Sequence, residues 1–350
     1  MCYLEDTMTL KTTLSVLAIA AAATMAKDFS GAELYTLDEY QYGKYEARMK
    51  MAAISGTVSS MFLYQNGSEQ ASAERWVEVD IEVLGKNPSS FQSNIITGKA
   101  GAQVTSEKHH NVNPAADQGF HTYGLEWTPD YVRWTVDGVE VRKAEKGQSS
   151  DPKNQVANLI GTQGLRFNLW SSEDPGWVGQ FDESKLPIFQ FINWVKAYKY
   201  TPGAGENGGD FTLDWTDNFD SFDNSRWGKG NWSFDGNRVD LTPNNIYSRD
   251  GMLILALTRK GQESFNGQVP KDNEEPVSSS SQEVQSSSSE VPPTSSSSEA
   301  NPTSSSDGST GILTNRAKQL QAKEIRGTVN AKGARVNPHN KANYQVDFNF

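Results

Sequence analysis

One short segment of the chain holds three acidic residues in a pattern that could do chemistry. Trp76 to Gly85 reads WVEVDIEVLG, with strictly alternating acidic and apolar side chains after the tryptophan. Because successive side chains of a β-strand point to opposite faces, Glu78, Asp80 and Glu82 would share one face while the apolar residues pack inward. Adjacent carboxylates repel one another, so stability alone gives no reason for this arrangement. A solvated sheet face is the ordinary alternative, but mixed charges or Ser and Thr would be more typical of it.

Two carboxyl groups that flank a glycosidic bond can hydrolyse it. The required separation is about 5–5.5 Å in retaining enzymes and about 6.5–9.5 Å in inverting ones. On a strand that rises about 3.3 Å per residue, the Cα atoms of Glu78 and Glu82 lie roughly 13 Å apart, and side chains leaning together can close most of this distance. Asp80 lies between them, where it can share a proton with one glutamate and separate the two pKa values.

Tryptophans elsewhere in the chain could supply flat platforms for sugar rings. Trp170 ends the segment RFNLW, Trp177 follows shortly after it, and Trp232 lies in the segment NWSFD. Aromatic faces stack on the apolar faces of pyranose rings, and neighbouring Asn and Arg side chains can bond sugar hydroxyls. Core packing is an equal alternative for each tryptophan taken singly.

The elements that must position these side chains are predicted to be β-strands. The apolar period between residues 27 and 273 is two, and no stretch of twelve residues has convincing helical periodicity. Asp137-Gly138 between two alternating segments predicts a β-hairpin. Many strands over about 245 residues predict an all-β fold, a jelly-roll β-sandwich of two antiparallel sheets. The predicted strands cover residues 56–64, 76–84, 91–97, 120–127, 131–136, 139–142, 165–170, 189–200 and 252–257.

Composition excludes several classes of function. The 350 residues carry a formal net charge of -11, which argues against nucleic acid as the ligand because phosphate binding needs a basic surface. Cys2 is the single cysteine, so a disulfide framework and a cysteine-ligated metal cluster are both excluded. The four histidines lack metal-ligand spacing. Of these, His121 could support a cleft or serve the fold alone.

The chain is predicted to begin with a secretory signal peptide at residues 1–26. Its apolar run, Leu14 to Ala26, is too short to span a bilayer and ends in small residues, as signal sequences do. A buried N-terminal helix is the alternative. We therefore expect no transmembrane segment, and a secreted protein that is extracellular or associated with the cell surface.

Three further regions follow the signal. Residues 27–273 form one acidic catalytic domain with a net charge of -9 and a glycine-rich flexible joint at 203–209. Residues 274–310 hold repeated serine runs that cannot bury enough apolar surface to fold, which predicts a flexible linker. Residues 311–350 form a tail with a net charge of +5. This tail could bind an acidic surface, act as a secretion signal, or be a solvated appendage.

The segment from Trp76 to Lys86 resembles the catalytic strand of family 16 glycoside hydrolases. It has the form without an extra residue between Asp80 and Glu82, which bacterial lichenases share with plant xyloglucan transglycosylases. The resemblance covers about residues 27–270 and implies a concanavalin-like jelly roll. In ordinary lichenases a segment resembling residues 211–268 comes first, so the order here implies a circularly permuted member. Other matching segments are Phe29 to Tyr35, Tyr64 to Asn66, Gln92 to Asn94, His121 to Trp127 and Asn168 to Trp170.

The resemblance also implies roles for individual residues. Glu78 would be the nucleophile, Glu82 the general acid/base, and Asp80 the residue that tunes both. A structural calcium ion away from the cleft would be held largely by backbone oxygens of Asn193, Asn218 and Gly251, which suits a hard cation. No cofactor is expected in the chemistry. The implied substrate-binding residues are Phe62, Tyr64, Asn66, Glu69, Trp76, Gln92, Asn94, Gln103, Glu107, Arg166, Asn168, Trp170, Trp177 and Trp232.

The function implied is endo-acting, retaining hydrolysis of mixed-linkage 1,3-1,4-β-glucans such as lichenan and cereal β-glucan. The bonds cleaved would be 1,4 bonds that follow a 1,3 bond, and the enzyme would act as a monomer on β-glucan polysaccharide. Two alternatives stay open. One is a xyloglucan endotransglycosylase/hydrolase with the same strand chemistry, and the other is a non-catalytic β-glucan-binding jelly roll.

Overall fold

A computed structural model describes residues 26–272, and this part of the chain is built almost wholly from β-strands. Within it, one α-helix covers Pro175–Val178 (α1), and short 3-10 turns cover Val156–Asn158, Glu183–Lys185, Glu206–Gly208 and Pro243–Asn245. The strands are Phe29–Thr36 (β1), Gly43–Lys50 (β2), Thr57–Tyr64 (β3), Glu78–Leu84 (β4), Ser90–Lys99 (β5), Ala102–Thr105 (β6), Lys108–Asn111 (β7), His121–Trp127 (β8), Tyr131–Val136 (β9), Val139–Glu145 (β10), Gly164–Ser171 (β11), Ile188–Tyr200 (β12), Phe211–Asp217 (β13), Trp227–Lys229 (β14), Val239–Leu241 (β15), Ile246–Arg249 (β16) and Met252–Arg259 (β17).

The strands form two layers, in which all neighbouring strands are antiparallel except β1 and β15, which pair in parallel. In the first, which we name the carboxylate sheet, the order is β14–β1–β11–β3–β4–β5, and both β6 and β7 pair with β5. In the second sheet the order is β16–β17–β12–β2–β8–β9–β10, with β13 beside β12 beyond the end of β17. The predicted all-β sandwich of two antiparallel sheets is confirmed.

The core lies between the two sheets and takes apolar side chains from both. Alternation along each strand sends every second residue inward, which is why the strands predicted from a period of two agree closely with those observed. The predicted hairpin is β9–β10, and Asp137 and Gly138 both have positive φ, of 49° and 77°, as its tight turn requires. Fully buried core residues include Leu34, Met61, Ile81 and Phe167 from the carboxylate sheet, and Tyr123, Trp127, Trp134 and Leu255 from the second sheet.

The beginning and the end of the described domain lie side by side. Phe29 at the start of β1 pairs with Arg259 at the end of β17, and the Lys260 amide donates a hydrogen bond to the Asp28 carbonyl at 2.9 Å. The segment 203–209, predicted to be a joint, connects β12 to β13, which pair with each other in one antiparallel hairpin. It is therefore a turn within the second sheet.

Predictions for the signal peptide, the linker and the tail concern residues that lie outside 26–272. Within the described residues, no helix has the length and apolar character needed to cross a bilayer.

Candidate active site

Strand β4 presents three acidic side chains from the middle of the carboxylate sheet. Its alternate residues Val79, Ile81 and Val83 have 0% exposure and belong to the core. Glu78, Asp80 and Glu82 are therefore on the outer face, where Asp80 is buried by its neighbours while the two glutamates are half-buried. Strands on both sides of β4 fix its register, so the three carboxyl groups form one row.

Neighbouring strands place polar and aromatic residues on each side of this row. Facing positions in a paired sheet lie close enough for their side chains to contact one another. Tyr64 and Ile96 face Glu78, Phe62 and Asn94 face Asp80, and Ser60 and Gln92 face Glu82. One strand further out, β11 places Arg166 beside Phe62, Asn168 beside Ser60 and Trp170 beside Val58.

Each glutamate is held by one uncharged donor. The indole Nε1 of Trp76 donates to Glu78 Oε2, and Gln92 Nε2 donates to Glu82 Oε2 at 3.0 Å. Gln92 is itself oriented, because its Oε1 accepts from the indole of Trp177 at 3.3 Å. These contacts orient both carboxyl groups without placing a positive charge beside them.

The site raises the pKa values of all three acids and separates those of the two glutamates. Burial raises the pKa of Glu78 to about 7. Burial and the nearby charge of Glu78 raise the pKa of Glu82 to about 8. Burial, followed by the charges of Glu78 and Glu82, holds the pKa of Asp80 well above its ordinary value. Glu82 therefore retains its proton to higher pH than Glu78, which divides the pair into an acid and a nucleophile.

The two pKa values lead to a prediction about the pH dependence of catalysis. The reactive form has Glu78 ionised and Glu82 protonated, so kcat/KM should fall as pH drops below about 7 and as it rises above about 8. Steady-state kinetics between pH 4 and pH 10 would measure this bell. Glu82→Gln removes the group whose deprotonation causes the alkaline limb, so that limb should disappear from the pH profile of the residual activity. The acid limb, which reports the ionisation of Glu78, should persist. An alkaline limb unchanged in this variant would contradict the assignment of Glu82.

A buried guanidinium organises the Glu78 end of the site. Arg166 is 9% exposed and forms an ion pair with Glu33, which is 3% exposed, and it also donates to Asn66 Oδ1. Three aromatic rings surround it, with centroids 5.1 Å (Tyr64), 5.3 Å (Tyr35) and 5.8 Å (Trp232) from its Cζ. One cation therefore fixes the rings on which a sugar could stack.

A second aromatic group lies at the Glu82 end. Trp170 and Trp177 have ring centroids 5.8 Å apart, and Phe234 packs edge-on against Trp170 at 5.0 Å. Helix α1 presents Trp177, and its N-terminus is capped by Asp174, whose carboxylate accepts from the Gly176 amide at 2.8 Å. Aromatic residues thus flank the carboxylates along both directions of the row.

The structure brings most of the sequence-predicted residues into this one surface. Glu69 joins it through a 2.5 Å hydrogen bond from the Tyr64 hydroxyl. Glu107 is exposed after β6, yet its charge helps to raise the pKa of Glu82, which places it near that carboxyl group. Gln103 is the most remote, since it pairs with Gly98 on exposed β6, two residues beyond the position facing Glu78.

Several contributors were not identified from the sequence. Glu33 and Tyr35 lie on β1, beside Asn168 and Arg166. Their alternation within FSGAELYT is a signal that they share a face, but that signal does not reveal the partner strand. Ser60 donates to Asn168 Oδ1 at 2.5 Å, and the Trp134 indole donates to the Asp80 carbonyl at 2.9 Å from the second sheet. Phe234 is the fifth such contributor.

His121 serves the second sheet. Its Nδ1 lies 2.6 Å from Asp137 Oδ2 and its Nε2 lies 2.9 Å from the Pro114 carbonyl, so it ties the β9–β10 turn to a neighbouring loop. Of the two roles considered from sequence, the contacts support the structural one.

The three positions considered for calcium converge on the second sheet. Ile192 pairs with Leu253 and Val195 pairs with Asp217, so Asn193, Asn218 and Gly251 meet where β17 begins and β13 ends beside β12. A Cβ built on Gly251 would lie 3.7 Å from Asp220 Oδ1, which adds a carboxylate to this region. Among the described residues, no group of three or more His, Cys, Asp or Glu could hold a metal ion. Backbone and amide oxygens with one carboxylate fit a hard cation such as calcium.

Comparison with known proteins gives the chain clear relatives. The family described as Glycosyl hydrolases family 16 matches residues 5–186. A protein named Beta-glucanase from Fibrobacter succinogenes is 72% identical over 346 residues, which is 97% of both chains. A Beta-glucanase from Brevibacillus brevis is 35% identical over 187 residues, covering 53% of this chain and 66% of that protein. Among solved structures, Bacillus licheniformis beta-glucanase matches at 30% identity, covering 47% of this chain and 69% of its own, with a TM-score of 0.39.

Proposed function

The chain belongs to family 16 of the glycosyl hydrolases, and from this premise we propose that it is an endo-acting, retaining β-glucanase. The observation that carries the proposal is the row of carboxyl groups on β4, in which two half-buried glutamates with raised and unequal pKa values flank an aspartate whose pKa is also raised. The name of the Fibrobacter succinogenes relative, which aligns over nearly the whole chain, supports β-glucan as the substrate class.

The reaction follows the double-displacement route of retaining enzymes. Glu82 gives its proton to the glycosidic oxygen while Glu78 attacks the anomeric carbon, which forms a covalent glycosyl-enzyme and releases the first product. Glu82, now ionised, then takes a proton from water. The oxygen of this water attacks the anomeric carbon and breaks the bond between the sugar and Glu78. Trp76 and Gln92 orient the two carboxyl groups through the hydrogen bonds described above.

The aromatic groups on both sides of the carboxylates support an endo mode of action. Tyr64, Trp76 and Trp232 lie toward the Glu78 end, and Trp170 and Trp177 lie toward the Glu82 end. A glucan chain can therefore be held on either side of the bond that is cleaved. We further propose specificity for mixed-linkage 1,3-1,4-β-glucan, with cleavage of 1,4 bonds that follow a 1,3 bond. The uninterrupted strand pattern between Asp80 and Glu82 supports this finer assignment.

Product analysis on lichenan, laminarin and xyloglucan tests the proposal. Short mixed-linkage oligosaccharides should be released from lichenan from the earliest time points, with laminarin left intact. Proton NMR during the first minutes should show products with the β-anomeric configuration. Hydrolysis of laminarin would overturn the linkage specificity, and transfer between xyloglucan chains would favour the transglycosylase. Binding to lichenan without hydrolysis would favour the non-catalytic alternative.

We propose that a calcium ion binds at Asn193, Asn218 and Gly251 and stabilises the junction of β12, β13 and β17. Calcium that binds only the folded state raises stability by mass action, so EGTA should lower the melting temperature and added calcium should restore it. Differential scanning calorimetry with and without chelator measures the shift. Asp220→Asn is a second test of the site, because loss of this carboxylate should reduce the calcium-dependent part of the shift in melting temperature. A melting temperature that does not respond to chelator would contradict the proposal.

We also propose that the domain is circularly permuted. The adjacency of Asp28 and Lys260 supports this, because a permutation requires the two ends of the domain to lie close enough to be joined by a short connection. A variant with these ends joined by a short linker and the chain opened within 203–209 should fold and keep its activity. Far-UV circular dichroism and lichenan hydrolysis would report the outcome, and an unfolded product would count against the proposal.

A further inference from the structure

A cavity lined by tyrosines lies on the second sheet and shares no lining residue with the carboxylate site. Its volume is about 270 Å³, and it is bounded by the segment before β2, the end of β12 and strand β13. We name it the tyrosine cavity. The residues used in the following argument are Tyr40, Tyr42, Tyr45, Tyr200, Lys199 and Asp214.

The floor of the tyrosine cavity contains the phenol group of Tyr45. Tyr45 is 3% exposed and its ring belongs to the core, yet the residue also lines the cavity. Burial raises the pKa of Tyr45, and Tyr40 and Asp214 raise it further, so its hydroxyl lies near both groups. Gly43 keeps the adjacent space open, since a Cβ there would lie 3.3 Å from this hydroxyl. A phenol hydroxyl both donates and accepts hydrogen bonds, so it can bond a hydroxyl group of a ligand in this cavity.

The wall of the cavity is made of tightly packed aromatic rings. Tyr42 has a φ of 67°, a conformation that costs energy for a bulky residue and is maintained by its surroundings. Its ring packs edge-on against Trp127 at 4.9 Å and against Tyr200 at 5.9 Å, and Tyr200 in turn contacts Phe211 at 5.8 Å. The rings are therefore fixed before any ligand arrives.

The rim of the cavity carries one charged donor and one charged acceptor. Lys199 Nζ lies 2.5 Å from Asp214 Oδ1, and the lysine side chain is 56% exposed. The two charges cancel, so the rim does not select an anion or a cation. Such a pair can bond several hydroxyl groups of an uncharged ligand, which has both donors and acceptors.

We propose that the tyrosine cavity is a second carbohydrate-binding site, which holds a glucosyl unit of the β-glucan chain away from the carboxylates. This rests on the proposed function. Fixed phenol rings suit the apolar face of a pyranose, while the Tyr45 hydroxyl and the Lys199–Asp214 pair suit its hydroxyl groups. At about 270 Å³ the cavity lies just below the range of ligand pockets, which is about 300–1,000 Å³, and so suits one sugar ring.

A second site would raise the effective concentration of long chains near the cleft without changing the chemistry. Substitutions in the cavity should therefore alter binding to polysaccharide and leave the hydrolysis of short oligosaccharides unchanged. This difference separates a binding role from a merely structural one.

Affinity electrophoresis in gels containing barley β-glucan tests the proposal. The Glu78→Gln enzyme, which should bind without cleaving, is run with a saturating mixed-linkage tetrasaccharide that occupies the cleft. Adding Tyr200→Ala should reduce the remaining retardation, because one aromatic stacking contact with the polysaccharide is lost. The dissociation constant derived from the retardation should rise by up to about tenfold. Tyr131→Ala is the matched control, because Tyr131 is a half-buried tyrosine of the same sheet that bonds Glu126 outside the cavity.

Asp214→Asn offers a second variant on the rim, should Tyr200→Ala not fold as judged by circular dichroism. It should also weaken retardation. In the active enzyme, both substitutions should leave kcat/KM on an aryl tetrasaccharide unchanged. Retardation equal to that of the Tyr131→Ala control in both variants would overturn the inference. Failure of the parent enzyme to hydrolyse any β-glucan would instead overturn the proposed function, so the two failures are distinguishable.

Discussion

Glu78→Gln should lower kcat on lichenan by about 10³-fold or more while the protein stays folded, and Glu82→Gln should do the same. An amide can neither attack the anomeric carbon nor transfer a proton to the leaving oxygen. Glu78 and Glu82 are half-buried on the outer face of β4, and their replacements are nearly isosteric, so the melting temperature should change little. Kinetics and thermal melts of the three proteins measure both effects.

Azide rescue separates the two roles. In Glu78→Ala, azide occupies the space of the lost nucleophile and should yield an α-glycosyl azide by a single inversion. In Glu82→Ala, azide replaces water in the second step and should yield a β-glycosyl azide from an aryl glycoside with a good leaving group. The same anomer from both variants, or full activity in either glutamine variant, would refute the assignment.

Arg166→Met should cause the largest loss of stability among substitutions in the site. The change leaves the Glu33 carboxylate buried without its cation, and breaking such a pair typically costs about 3–5 kcal/mol. It also removes the cation that contacts the rings of Tyr35, Tyr64 and Trp232, so KM for β-glucan should rise. Urea unfolding measures the first effect and steady-state kinetics the second.

Two further variants control for this prediction. Arg166→Met combined with Glu33→Leu removes both charges and should recover much of the stability but not the KM, because the rings would still lack their cation. Arg259→Met breaks an exposed pair with Glu183, whose side chains are 44% and 52% exposed, and should cost less than about 1 kcal/mol. Equal losses in Arg166→Met and Arg259→Met would show that the buried pair contributes no more than a surface pair.

The pKa values connect the fold to the proposed chemistry. Glu78 and Glu82 have the same side chain and lie on the same strand, and burial raises the pKa of both. Glu82 has the higher pKa because the charge of Glu78 raises it further, while the hydrogen bond from Trp76 lowers the pKa of Glu78. The pKa of Asp80 between them is raised, since burial and two neighbouring acids disfavour its charge. Their surroundings, which come from β3, β5 and β11, assign different roles to identical groups.

The sequence by itself determined the local part of this arrangement. A period of two in WVEVDIEVLG is sufficient to place Glu78, Asp80 and Glu82 on one face, because alternation is a property of every extended strand. The Asp137-Gly138 turn and the positions of nine of the 17 strands in residues 26–272 follow from equally short-range signals. The two-sheet sandwich follows from the number of such strands.

Only the tertiary structure decided which distant residues meet. Glu33 and Arg166 are 133 residues apart in sequence and become partners because β1 and β11 are neighbours in the carboxylate sheet. The tyrosine cavity likewise joins residues near Tyr42 to residues near Tyr200, across the pairing of β2 with β12. Local periodicity gives the face on which a side chain lies but not the strand beside it. Burial, ion pairing and the order of the pKa values all depend on that neighbour.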